Sequence, residues 1–206
     1  MTILSPNHLE ALALLGLTPA STATGQRKQI EDATRELASW LVMLPRNGAG
    51  RRQPSQQQRA AVIRAGPEGV CFALASAPDS VRWLPAVFGE ADQARVKDVT
   101  GGGNAFLGGL CAGLSLTGGD AYRGSAVPRQ PLAGAYRTDH SAPSPCSPAK
   151  AILYGSVAAS FAIEQAGLPS LASADDSAGK ELWNSSESGL ARLARYERAV
   201  EGAAVR

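Results

Sequence analysis

This 206-residue chain has few histidines, few aromatics and almost no excess of one charge. Its 20 basic and 18 acidic residues leave a formal net charge of +2. A balance that close gives no electrostatic footprint for nucleic acid or for an anionic membrane. The longest apolar run without a charge is in Ala105–Thr117, short of the about 18 residues a membrane span needs. The opening MTILSPNHLE has no basic stretch, and Glu10 interrupts any apolar one, so no secretory signal is expected. Cys71, Cys111 and Cys146 are odd in number, far apart and without metal-ligand spacing. His8 and His140 are the only histidines, and each stands alone in the sequence, which predicts exposed polar residues. These absences together predict a soluble, cytoplasmic protein in a reducing compartment.

Small residues are what the chain has in abundance. Ala occurs 37 times and Gly 22 times, while aromatics make up only 5% and hydrophobic residues 44%. That is enough apolar material for a core in which backbones approach closely, and it excludes collagen-like, coiled-coil and wholly disordered chains.

Periodicity divides the chain into helices and short strands. SPNHLEALALLGL reads as a short helix ending at Gly16, with Leu9, Leu12 and Leu15 on one side. A longer helix is predicted from about Gln26 to Leu44, where Ile30, Thr34, Leu37, Leu41 and Leu44 recur at helical spacing before Pro45. AAVIRA, GPEG and VCFALA read as strand, tight turn and strand, and WLPAVF and ARVKDV as weaker strands. NAFLGGLCAGLSL predicts a helix beginning beside three glycines, and AILYGSVAASFAIEQAGL a helix buried on nearly all faces. Asn184 and Glu187 have capping-box spacing ahead of an amphipathic terminal helix, GLARLARYERAV. Flexible insertions are expected at about 45–59 and 118–150, and a linker at 170–179. Glu164 and Gln165 are expected to hydrogen-bond at a helix end. Arg192, Arg195 and Arg198 are expected on a solvated face, and Trp40, Trp83 and Trp183 in packing roles. Helices alternating with strands predict an α/β fold.

The chemistry concentrates in Asp98-Val-Thr100-Gly101-Gly102-Gly103-Asn104-Ala-Phe106-Leu-Gly-Gly. Glycines at a helix N-terminus let backbone N–H groups converge on one point, and the helix dipole adds to their attraction for an anion. The run lacks the Lys-Ser/Thr ending of a P-loop, and Phe106 stands where a dinucleotide fingerprint needs glycine. The plainer alternative is a strand-to-helix turn with no ligand.

These residues resemble the signature of the pfkB, or ribokinase-like, carbohydrate kinases, Asp-Thr-x-Gly-Ala-Gly-Asp leading into a Gly-rich helix. Asp98, Thr100, Gly101, Gly103, Phe106, Gly108 and Gly109 match it in place, and Gly102 replaces the usual Ala. Asn104 occupies the position of the family's catalytic Asp. Asn7-His-Leu-Glu10 resembles the family's Asn-x-x-Glu motif, although the same spacing also makes a capping box. Gly66-Pro-Glu-Gly69 resembles its phosphate-lining turn between strands, although alone it is a hairpin turn. Thr100–Gly109, Tyr154-Gly-Ser-Val-Ala-Ala-Ser-Phe-Ala-Ile-Glu-Gln-x-Gly-Leu-Pro169 and Leu182-Trp-Asn184 are similar to the fungal subgroup that contains the maintenance-of-killer protein, in which Asn at the base position is a regular feature.

The resemblance implies one partial domain over 1–206. It would be the C-terminal portion of a ribokinase-like three-layer α/β/α sandwich, with the lid and N-terminal strands absent. It implies ATP and magnesium as cofactors, an anion hole at Gly101, Gly102 and Gly103, and nucleotide or phosphate contacts at Gly66, Gly69, Asp98 and Thr100. Asn7 and Glu10 would hold magnesium through water. The implied reaction is phosphoryl transfer to a sugar or small alcohol. It would be impaired, because the Asn104 amide takes no proton at neutral pH and losing a general base costs roughly 10²–10⁴ in rate. The alternative is a non-catalytic pseudokinase acting as scaffold, whose exposed sheet edge would be covered by a second copy or a partner protein.

Overall fold

The computed structural model describes residues 2–44, 59–117, 148–172, 182–184 and 187–204. The expected insertions lie almost wholly outside these residues. Their edges shift, since Arg59 already belongs to a strand and Pro148–Lys150 to a helix. Most of the linker expected at 170–179 also lies outside them.

The chain opens with a strand that its sequence did not suggest, β1 (Thr2–Leu4). Helix α1 (His8–Leu14) follows and is closed at both ends by its own residues. Asn7 Oδ1 accepts from the Glu10 N–H (2.9 Å) and Glu10 Oε2 accepts from the Asn7 N–H (2.7 Å), a complete capping box. At the other end Gly16 takes φ +68°, and the N–H groups of Gly16 and Leu17 turn back to the carbonyls of Ala13 and Leu12. Helix α2 (Ala23–Met43) starts three residues before the predicted point because Thr22 caps it through the Gly25 N–H. Its apolar stripe buries Ile30, Ala33, Leu37, Ala38 and Leu41. Leu44, just before Pro45, is extended, as a residue ahead of proline prefers.

Strand β2 (Arg59–Arg64), a 3₁₀ turn at Gly66–Glu68, β3 (Val70–Leu74) and β4 (Ala77–Leu84) complete a mixed four-stranded sheet in the order β1-β2-β3-β4. β1 is parallel to β2, and the remaining pairs are antiparallel. Alternation along β2 and β3 sends residues to opposite faces. Ala61, Ile63, Cys71 and Ala73 pack beneath α1 and α2. Ala60, Val62, Val70 and Phe72 pack with α3 (Gly102–Thr117) and α4 (Pro148–Ile163). The fold is therefore α/β, with helices on both faces of the sheet. Burial raises the Cys71 thiol to about 11, so it serves the core as a small hydrophobe.

α3 and α4 touch through their backbones. A β-carbon on Gly109 would lie 2.5 Å from the Tyr154 carbonyl oxygen, and one on Gly155 would lie 2.9 Å from that of Phe106. Two short strands, β5 (Leu171–Ala172) and β6 (Leu182–Trp183), pair antiparallel ahead of α5 (Gly189–Ala204). No helix among the described residues is long and apolar enough to cross a membrane.

Several sequence expectations need correction. Only the first residues of WLPAVF are strand. ARVKDV is not a strand at all: its first two residues end a 3₁₀ helix (Glu90–Arg95), and Lys97 and Asp98 bond to the end of α4 instead of to a neighbouring strand. Asn184 and Glu187 do not cap α5. Ser188 does, accepting from the Ala191 N–H (3.2 Å), while Asn184 at φ 52° turns its side chain to α4. Arg192 is not solvated but wholly buried, whereas Arg195 and Arg198 are exposed as expected. Trp40 is 45% exposed and so does not pack in the core.

Candidate functional site

The glycine run folds as a turn into a helix. Gly101 takes φ +80°, a conformation L-residues avoid, and its carbonyl accepts the first helical bond, from the Ala105 N–H (2.9 Å). Ahead of it the Thr100 N–H donates to Asp98 Oδ1 (2.9 Å). That bond, with a second from the Thr100 hydroxyl, holds the exposed Asp98 carboxyl below its usual range. The Gly102 N–H turns back to the Val99 carbonyl (3.2 Å). Among the described residues, the N–H groups of Gly103 and Asn104 have no partner. They are the donors the first helical turn offers outward.

Two of the motifs meet at one side chain. Arg64 ends β2, and its backbone N–H donates to the Pro6 carbonyl (3.0 Å), which places it in register beside Asn7. Its Nη2 donates to the Ser5 carbonyl (3.2 Å) and stands 3.5 Å from Glu10 Oε2. Its Nη1 lies so near the glycine turn that a β-carbon on Gly103 would be 2.3 Å away. Arg64 thus joins the Asn7–Glu10 segment to the start of α3. The side chain is 19% exposed, and its buried Nε, like the nearby Ser5 Oγ, has no hydrogen-bond partner among the described residues. A guanidinium beside the positive end of a helix is electrostatically unfavourable; Glu10 offsets this in part, and an anion between the two would offset it further.

The third motif has its own structural reason. A β-carbon on Gly69 (φ +97°) would fall 2.1 Å from the Leu84 carbonyl oxygen, so the turn needs glycine for close approach to β4. Glu68 within it pairs with Arg27 on α2 (3.0 Å). Gly66 and Gly69 reach the site only through their chain neighbour Arg64.

Asn104 sits exposed in the first turn of α3. Its amide can donate and accept hydrogen bonds but cannot serve as a base. Asn7 and Glu10 are occupied with each other, and a cation stands beside Glu10. Among the described residues no cluster of three His, Cys, Asp or Glu could hold a metal ion. This donor set does not fit a directly bound divalent cation, and it does fit an anion at Gly103, Asn104 and Arg64. Alongside lies an open depression of about 580 Å³, lined by Leu4, Ser5, Pro6, Glu10, Ala13 and Leu14.

No sequence expectation assigns Arg64 a role. The available signal was a cation closing an otherwise apolar strand, Ala60-Ala-Val-Ile63, immediately before a glycine turn. No protein-family model matches this chain, and no curated protein matches it.

Proposed function

We propose that the chain is a pfkB-type, ribokinase-like domain that binds the phosphates of a nucleotide at the Gly101–Asn104 turn. In this reading the fold is the later part of a three-layer α/β/α sandwich. The activity is ATP-dependent phosphoryl transfer to a sugar or small alcohol, impaired by Asn104. The observation that carries the reading is the side chain of Arg64. Two segments far apart in sequence, each resembling a family motif, meet on it in the order the resemblance requires.

ATP would supply the phosphoryl group. The N–H groups of Gly103 and Asn104, with Arg64, would hold the charge on its phosphates. Asn7 and Glu10, already engaged with each other, would reach magnesium only through water. Asn104 would accept a hydrogen bond from an acceptor hydroxyl through its amide oxygen and leave the proton in place, which would make turnover slow.

Thermal unfolding with and without magnesium-ATP, ADP and sulfate tests this reading. At about 100 times Kd a ligand stabilises by roughly 2.7 kcal/mol, a rise of several degrees for a chain of this size. Asn104→Asp is expected to raise turnover on a responsive sugar or alcohol. A cooperative melt that no nucleotide or anion moves would sink the reading.

The scaffold reading has its own supporting observation. Among the described residues the outer edge of β1 has no strand beside it, and the apolar depression, lined by Leu4 of β1 and the exposed Leu14, adjoins it. An oligomer whose mass and assembly ignore both nucleotide and Asn104→Asp would favour it.

A further inference from the structure

The glycine turn is fastened from behind by charged groups that have no part in the proposed phosphate contacts. α4 ends at Ile163, whose carbonyl accepts from the N–H groups of both Lys97 (2.8 Å) and Asp98 (3.2 Å). Ile163 also packs on the turn itself, since a β-carbon on Gly102 would lie 2.8 Å from its Cγ2. The next residue, Glu164, is 7% exposed and accepts from three elements. Arg95, just ahead of the turn, donates to its Oε2 (3.1 Å), and Asn184, after β6, donates to its Oε1 (2.8 Å). Arg192 of α5 donates to both oxygens at 3.0 Å.

Arg192 is itself fully determined. It is 0% exposed and stacks 3.5 Å from the Phe161 ring centroid. It also donates to Ser160 Oγ (3.1 Å) and to Glu187 Oε1 (2.8 Å). A planar, delocalised fork suits this combination of stacking and two-pronged bonding, and lysine cannot reproduce it. Burying a charge pair is poor value for stability alone, because desolvation offsets most of the attraction. Its attested use is to fix one arrangement against others.

We propose that Glu164 and Arg192 are positioning residues for the glycine turn. Arg192 on α5 holds the Glu164 carboxylate where it captures Arg95, so that Lys97 and Asp98 lie on the end of α4 and the first N–H groups of α3 face outward. α5, far from the turn in sequence, thereby sets the geometry of the anion-binding donors. That these donors bind phosphate rests on the proposed function, whereas the positioning itself does not.

Amide hydrogen exchange on the full chain tests this. In the double variant Arg192→Met with Glu164→Gln, which removes both charges and keeps side-chain volume, the Lys97 and Asp98 amides should exchange about tenfold faster or more. Exchange at the wild-type rate overturns the proposal. If that variant does not fold, Glu164→Gln alone carries the same test. Arg195→Gln, which removes an exposed partner of Glu187 from the same helix, should leave both amides unchanged. An equal effect there would mean general loosening of α5 and would also overturn the proposal. Arg192→Lys should fall on the side of the double variant, because charge without the fork does not hold Glu164. Lysine with wild-type exchange would remove the fork from the argument and overturn it. A thermal-shift series with sulfate and magnesium-ATP separates the two readings. No shift in the wild type defeats phosphate binding and leaves the exchange result to decide positioning. A wild-type shift that survives undiminished in the double variant counts against positioning.

Discussion

The sheet meets large side chains on both faces, but the helices covering the two faces pack by different means. Beneath α1 and α2, large side chains do the work: Leu12, Ile30, Leu37 and Leu41 meet Ile63, Cys71 and small alanines of the strands. On the other face, α3 and α4 approach so closely at Gly109, Gly113 and Gly155 that backbone meets backbone. Side chains can hop rotamers and shift to absorb a change, while a carbonyl in a helix has nowhere to go. One face is therefore adjustable and the other is set. The candidate site lies on the seam between them. Asn7 and Glu10 come from the adjustable side and Gly101–Asn104 from the rigid side, with Arg64 of the sheet in the middle.

Single-carbon changes test this contrast most directly. Gly109→Ala adds one carbon 2.5 Å from the Tyr154 carbonyl oxygen and 2.7 Å from Ala158 Cβ. It should cost about 3 kcal/mol or more in denaturant unfolding, the upper end for overpacking. Ile30→Val removes one carbon from a buried position on α2 and should cost only about 1 kcal/mol. Equal costs would erase the distinction between the faces.

At the seam, Gly103→Asp would set a carboxylate between Arg64 and the helix start. Calorimetry should show little net change in the unliganded protein, because the about 0.3–1 kcal/mol an acid gains in a first helical turn is offset by displacing Arg64 Nη1, which a β-carbon here would crowd. The same variant should no longer respond to sulfate or nucleotide. A retained response would place the anion elsewhere.

The smallest expected effect concerns Asp98. Bonds from Thr100 hold its carboxyl below the ordinary value of about 3.9. The associated stability is therefore present above that value and is lost as pH falls through the lower folded one. Asp98→Asn should lower the melting temperature slightly near pH 6, and the gap to wild type should close as the pH drops below about 4. A gap that widens in acid would contradict the sign.

The adjustable face was also the legible one. α2 follows from apolar spacing, and β2, the glycine turn and β3 follow from a run of Val, Ile and Phe broken by Gly-Pro-Glu-Gly. The start of α3 at its glycines was equally readable, since that signal is local. What escaped depended on partners distant in the chain. β1 is a strand only because β2 lies beside it, and three residues carry no alternation. Arg192 looked like one of three evenly spaced surface arginines, and nothing within α5 distinguishes it. Glu164, 28 positions earlier, is what makes it internal. The spacing of Asn7 and Glu10 suits both a cap and a ligand motif, and the capping geometry is complete. The role of Arg64 needed coordinates, because its contacts come from two elements on opposite sides of its own strand.

The connectivity of the sheet also orders its assembly. β2, β3 and β4 are joined by short turns and can zip together locally, whereas β1 must return across α1 and α2 to lie parallel to β2. Ser5 and Arg64, which bond to each other, are 59 positions apart. Closing so long a loop is entropically costly until most of the intervening chain is in place. The contacts that bring Asn7 and Glu10 to Arg64 are thus expected among the later steps of folding, with partial unfolding separating them before the hairpins come apart. Recognition at this seam, as proposed, would report that β1 has docked beside β2.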